Sequence, residues 1–96
     1  MKVLLASVGN PDFRQDPNKQ LYGCERNKWV QVNSFKEASE AVKCFIDRNS
    51  LGGGNWSGGD IIENGEVIAY VSYNGRVWEV TEDNPKWSSE AKEILI

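Results

Sequence analysis

The sequence predicts an α+β two-layer sandwich: a mainly antiparallel sheet with one main helix packed on one face, in the order β-β-α-β-β-β-α. Three observations carry this reading. Phe35, Ala38, Ala41, Val42, Phe45 and Ile46 recur at helical spacing. Asn64-Gly65 and Asn74-Gly75 are paired hairpin signals, set in the echo Glu63-Asn64-Gly65-Glu66-Val67 and Tyr73-Asn74-Gly75-Arg76-Val77. Short runs of Val, Ile and Tyr flank both turns. A chain of 96 residues has material for one core, so residues 1–96 are read as a single domain.

Residues 2–8 are nearly all apolar, as in a strand in the middle of a sheet or covered on both sides. Residues 9–28 lack a period and mix prolines, glycines and charges, so they read as a long irregular loop. Residues 29–32 form a short strand. Ser34 and Glu37 then make a capping box, with Ser34 accepting from the Glu37 N–H, and the helix should run over 35–49. Cys44 falls opposite the apolar stripe, toward solvent. Leu51-Gly52 suits a helix stop, with the glycine at positive φ. The two turn signals define a meander over 59–63, 66–73 and 76–81. Asn84-Pro85 opens a short last helix with Trp87, Ala91, Ile94 and Leu95 on its stripe.

Two-residue loops would also set register. Glu63 pairs with Glu66, Ile62 with Val67 and Ile61 with Ile68. Tyr73 pairs with Arg76, Val71 with Trp78 and Tyr70 with Glu79. The expected core face is then Ile62, Val67, Ala69, Val71, Trp78 and Val80. The expected outer face is Ile61, Ile68, Tyr70, Ser72, Val77 and Glu79, a mixed surface open to solvent or a partner.

Composition removes several chemistries. There is no histidine, which removes the usual general base of hydrolases, the commonest zinc ligand and the physiological-pH switch. Two cysteines, Cys24 and Cys44, cannot complete a four-ligand metal site. No nucleophile–base pair can be named, so the expectation is a non-enzymatic protein with no cofactor and no metal. The net charge is −3, with eight Lys/Arg against six Asp/Glu in residues 1–48 and three against eight in residues 49–96. A nucleic-acid binder would carry a basic excess, so nucleic acid is disfavoured as a partner. The first apolar run is too short to span a bilayer and lacks a cleavage site, which predicts a cytoplasmic chain with reduced thiols and no membrane attachment.

The glycine-rich stretch 52–59 could bind an anion through clustered backbone N–H groups. It nevertheless follows a helix and precedes a strand, the reverse of the dinucleotide fingerprint, and it lacks the Lys-Ser/Thr of a P-loop. Its plain reading is a helix-to-strand connector with Trp56 folded onto the core edge. Asn55 and Trp56 are its candidate contact residues, Trp56 because a loop aromatic supplies rigid binding area. Ile68 and Tyr70 are candidates on the mixed face, and Arg14 and Arg26 in the long loop. Ala69-Tyr70-Val71-Ser72-Tyr73 matches the end of the RNP1 pattern of RNA-recognition domains. The basic residue and the first aromatic of that pattern are replaced by Glu66 and Ile68, and the element order differs, which argues against RNA. Tyr73 and Arg76 could form a structural cation–π pair. Asp12, Asp16 and Glu25 lack the calcium-loop register.

The segments 35–46, Leu51-Gly52, Trp56-Ser57-Gly58-Gly59 and 68–78 resemble a group of small uncharacterised bacterial proteins, some cyanobacterial. The likeness covers about half the chain, residues 35–79. It implies a bacterial, cytoplasmic, single-domain protein and no particular activity. The expected function is a binding or regulatory module acting by contact with a protein partner. The alternatives are a homo-oligomer closing on its own mixed face, an anion or nucleotide site at residues 52–59, and single-stranded RNA binding.

Overall fold

The computed structural model describes residues 1–9, 25–83 and 91–96. It shows one six-stranded antiparallel sheet and one α-helix. The strands are β1 (Lys2–Leu5), β2 (Lys28–Gln31), β3 (Asp60–Glu63), β4 (Glu66–Val71), β5 (Val77–Glu79) and β6 (Glu93–Ile94), in spatial order β2-β1-β3-β4-β5-β6. Helix α1 (Phe35–Arg48) crosses one face, and a 3-10 turn occupies Gly53–Asn55. The expected sandwich is the observed one, with β1 inside the sheet.

The helix is set by its own ends. Ser34 is extended, and its side chain accepts the Glu37 N–H at 3.1 Å. Ala38, Val42 and Phe45 are wholly buried, while Cys44 is exposed. At the C-terminus the Leu51 N–H donates to the Ile46 carbonyl at 3.0 Å and the Ser50 N–H to Asp47 at 3.2 Å. This is a Schellman closure, and Leu51 tucks into the core behind it. The left-handed residue is Ser50, at φ 51°, and not the expected Gly52, at φ −86°. The hydrogen bonds close two residues before the glycine. Ser50→Gly should therefore raise stability by about 0.5–1 kcal/mol, the strain relieved less the entropy added to the unfolded chain. A higher urea midpoint at unchanged slope would show it.

The sheet departs from the expected register at two places, and each reverses a face. The Asn64-Gly65 turn is type I′, with φ of 53° and 82°, and Glu63–Glu66 and Ile62–Val67 pair as expected. Next, however, Ile61 pairs with Ala69, leaving Ile68 as the extra residue of a β-bulge. At the second hairpin Ser72 and Arg76 close a three-residue loop: the Ser72 N–H donates to the Arg76 carbonyl and the Gly75 N–H to the Ser72 carbonyl, each at 2.9 Å. Only Gly75 is left-handed there, at φ 84°. Val71 then faces Val77, and Tyr70 faces Trp78.

The core face is therefore Val3, Leu5, Ile61, Ala69, Val71 and Val77, packed on Ala38, Val42 and Phe45. The expectation held for β4 at Ala69 and Val71 but was one residue out on both neighbours. Ile61 and Val77 are buried rather than on the outer face, whereas Val67 is 41% exposed and Trp78 only half-buried. The cause is tertiary. The Ser39 hydroxyl, buried on α1, donates to the Gly75 carbonyl at 2.7 Å, and the Tyr73 hydroxyl donates to the Leu51 carbonyl at 2.9 Å. Both tie the turn to the helix, and the slip puts slim Val77 rather than Trp78 beneath it.

The expected last helix does not include residues 91–96. Glu93 and Ile94 extend the sheet instead, with Ile94 opposite Val77 and the Glu79 N–H bonded to the Lys92 carbonyl at 2.8 Å. Strand pairing satisfies the open edge of β5 and seats Ile94 against the core. Asn84, Pro85 and Trp87 lie outside the described residues, as does most of the expected loop at 9–28.

Candidate aromatic cleft

The glycine-rich connector is a built structure. Asn55 is 8% exposed, and every polar group it brings inside is used. Its side-chain Nδ2 donates to the Val8 carbonyl at 3.0 Å and its Oδ1 accepts the Gly52 N–H at 3.2 Å. Its own carbonyl accepts the Val8 N–H at 2.9 Å. Asn55 is thus a clamp between the connector and the end of β1. Trp56 follows, half-buried and bridged to Ser7. Its indole N–H donates to the Val71 carbonyl at 3.2 Å, and its ring leans on Phe45 at 6.1 Å and 58°.

Gly58 and Gly59 then thread between β1 and β4. The Gly59 N–H donates to Leu4 at 2.7 Å, and its carbonyl accepts the Val71 N–H at 2.9 Å. Gly59 sits at φ 103°. These glycines make the tight path that the connector reading requires.

The path leaves an open cleft of about 310 Å³ between the connector and the β4–β5 turn, lined by Gly53, Trp56, Tyr70, Ser72, Tyr73 and Asn74. Three of these residues are aromatic and come from three places in the sequence. Trp56 comes from the connector and Tyr73, 44% exposed, from the turn. Tyr70 comes from the sheet face away from the helix, opposite Asp60 on β3 and Trp78 on β5, and it is buried at 7% exposure rather than open to solvent as expected, so it forms the floor of the cleft. Burial and then the charge of Asp60 push the Tyr70 hydroxyl above its ordinary pKa. Ser72 also receives the Trp78 indole N–H at 3.3 Å, and its hydroxyl bonds Asn74 Oδ1.

Of the residues singled out from sequence, Trp56 and Tyr70 are brought together here. Asn55 stands behind the cleft as a structural clamp, and Ile68 is the half-buried bulge residue outside it. Arg26 is exposed just before β2, and Arg14 lies outside the described residues. Sequence reasoning placed Tyr73 beside Arg76. The structure sends its hydroxyl to Leu51 and its ring to the cleft, a placement that only the three-residue turn produces.

A second polar cluster ties the segment before β2 to the end of the helix. Glu25 accepts from Arg48 Nε at 3.1 Å, from Asn49 Nδ2 at 2.7 Å and from Lys28 Nζ at 3.2 Å. Arg48 first, then Asn49, hold its carboxyl down from 4.5 to about 2. A lowered folded pKa gives stability that is present above pH 4.5 and lost as the pH falls through about 2. The group is exposed, so the contribution is modest and weakens with salt. Thermal midpoints should decline across that acid window, and Glu25→Gln should flatten the decline.

Among the described residues no cluster of His, Cys, Asp or Glu could hold a metal ion, and no helix is long and apolar enough to cross a membrane. No family model matches the chain, and neither a curated protein nor a solved structure matches it.

Proposed function

We propose that the chain is a small non-enzymatic binding module that acts by contact with a protein partner through the aromatic cleft. One observation supports this above the others: Trp56, Tyr70 and Tyr73 line a single open cleft, and the polar tips of Trp56 and Tyr73 are already bonded inward. Rigid aromatic surface of this kind supplies contact energy at small entropic cost. The exposed free thiol of Cys44 suits a reducing bacterial cytoplasm, where we place the module.

The test is a plug. Gly53 is exposed, and a Cβ built on it would lie 3.8 Å from the Tyr73 ring, an ordinary contact. Gly53→Met should fill the cleft mouth and leave the fold intact. Affinity capture from the native host, compared between wild type and Gly53→Met, should show a partner depleted at least about tenfold by the plug. Equal recovery would refute the cleft as the working surface.

A second reading rests on Trp29, which is 46% exposed on edge strand β2. Two copies could pair along that edge. Sedimentation at micromolar concentration would then show a dimer that Trp29→Lys abolishes.

A further inference from the structure

We infer that the cleft takes a cationic side chain of the protein partner, an arginine guanidinium or a lysine ammonium, seated against the rings of Trp56, Tyr70 and Tyr73. This deepens the proposed function and rests on it. The negative faces of aromatic rings attract a cation within about 6 Å of the ring centre. Three aromatic residues line this cleft, and among the described residues none of the lining side chains carries a charge. The indole N–H of Trp56 is held by Val71 and the hydroxyl of Tyr73 by Leu51, so what these two residues present is ring surface rather than donors.

Charge points the same way. Asp60 stands across from Tyr70 on the same sheet face, and residues 49–96, which supply every described lining residue, carry three Lys/Arg against eight Asp/Glu. Among the described residues, Arg76 and Lys43 are the cations at the adjoining turn. Arg76 pairs with Ser72 across the turn, and the stem of Lys43 runs where a Gly75 side chain would go. Neither lines the cleft. The volume, about 310 Å³, is at the lower end for small-molecule sites and suits one or two side chains better than a nucleotide. Arginine is also among the residues that most often anchor protein interfaces.

The experiment is an amide-resolved NMR titration of the full chain with four blocked amino acids: N-acetyl amides of arginine, lysine, citrulline and glutamate. Citrulline matches arginine in shape but carries no charge. The arginine and lysine compounds should move the amides of Gly53, Ser72 and Asn74 at millimolar concentration. Citrulline should bind about threefold to fivefold more weakly, the ratio a surface cation–π contact gives. Asp60→Asn should weaken arginine by a similar factor, and Gly53→Met should remove the shifts.

Equal binding of citrulline and arginine would overturn the cation assignment in favour of plain apolar docking. Preference for glutamate would overturn it in favour of an anion site. Silence with all four would also overturn it. In each of these cases the capture comparison with Gly53→Met still decides separately whether a protein partner uses the cleft.

Discussion

Gly59→Ala is expected to cost about 4 kcal/mol, a large share of the ~5–15 kcal/mol that holds an ordinary domain together. Two penalties combine at this position. The backbone sits at φ 103°, where a residue with a Cβ is strained. The new Cβ would also lie 2.1 Å from the Val71 carbonyl oxygen, with the Val71 carbonyl carbon and nitrogen only 3.1 and 3.2 Å away. All of these are backbone atoms of a central strand, so no side chain can swing aside. Gly59 is also hydrogen-bonded on both sides, to Leu4 and to Val71, and relaxing the clash would break the ladder where β3 enters the sheet. Gly65→Ala is the control. Gly65 has φ 82° but nothing within 4 Å of its would-be Cβ, so it should lose only the strain, about 1–2 kcal/mol. Urea unfolding of the two variants separates the effects. Equal losses would mean that the close approach to Val71 carries no weight.

Phe45→Ala should cost a similar amount, about 3–5 kcal/mol, for a different reason. Phe45 is wholly buried in the cluster that joins α1 to Val3, Val71 and Val77. Truncation removes its burial and leaves a cavity between helix and sheet. Phe45→Leu keeps most of the volume and should cost under about 1.5 kcal/mol. Phe45 also backs the Trp56 ring at 6.1 Å. The alanine variant should therefore shift Trp56 emission and weaken whatever the cleft binds, even under conditions where the chain remains folded. Comparing binding with stability across Phe45→Leu and Phe45→Ala tests whether the core holds the cleft in shape.

The elements read most directly from the residues are those whose signals are local. The helix is specified by Ser34, Glu37 and the stripe through Phe45, all within a few turns of one another. The Asn64-Gly65 turn needs only two residues able to take positive φ, and it forms as expected. Trp56 is legible because an aromatic in a glycine-rich connector is conspicuous by composition alone. At the C-terminus Ala91, Ile94 and Leu95 fit a helical stripe, whereas the open edge of β5, which claims Ile94, is nowhere in that local pattern.

Local sequence thus sufficed for the α+β class, the helix and its cap, the order of the first five strands and the type I′ turn at Asn64-Gly65, because each depends on residues adjacent in the chain. The faces of β3 and β5, the last strand and the cleft were settled by contacts distant in sequence. Register has a period of two, so one bulge at Ile68 and one extra residue in the turn before Arg76 were enough to exchange inside for outside. The hydrogen bonds from Ser39 to Gly75 and from Tyr73 to Leu51 hold that turn on the helix. They also bring Tyr73 to Trp56 and Tyr70. Such a meeting exists only once helix and sheet have packed, because no spacing in the chain encodes it.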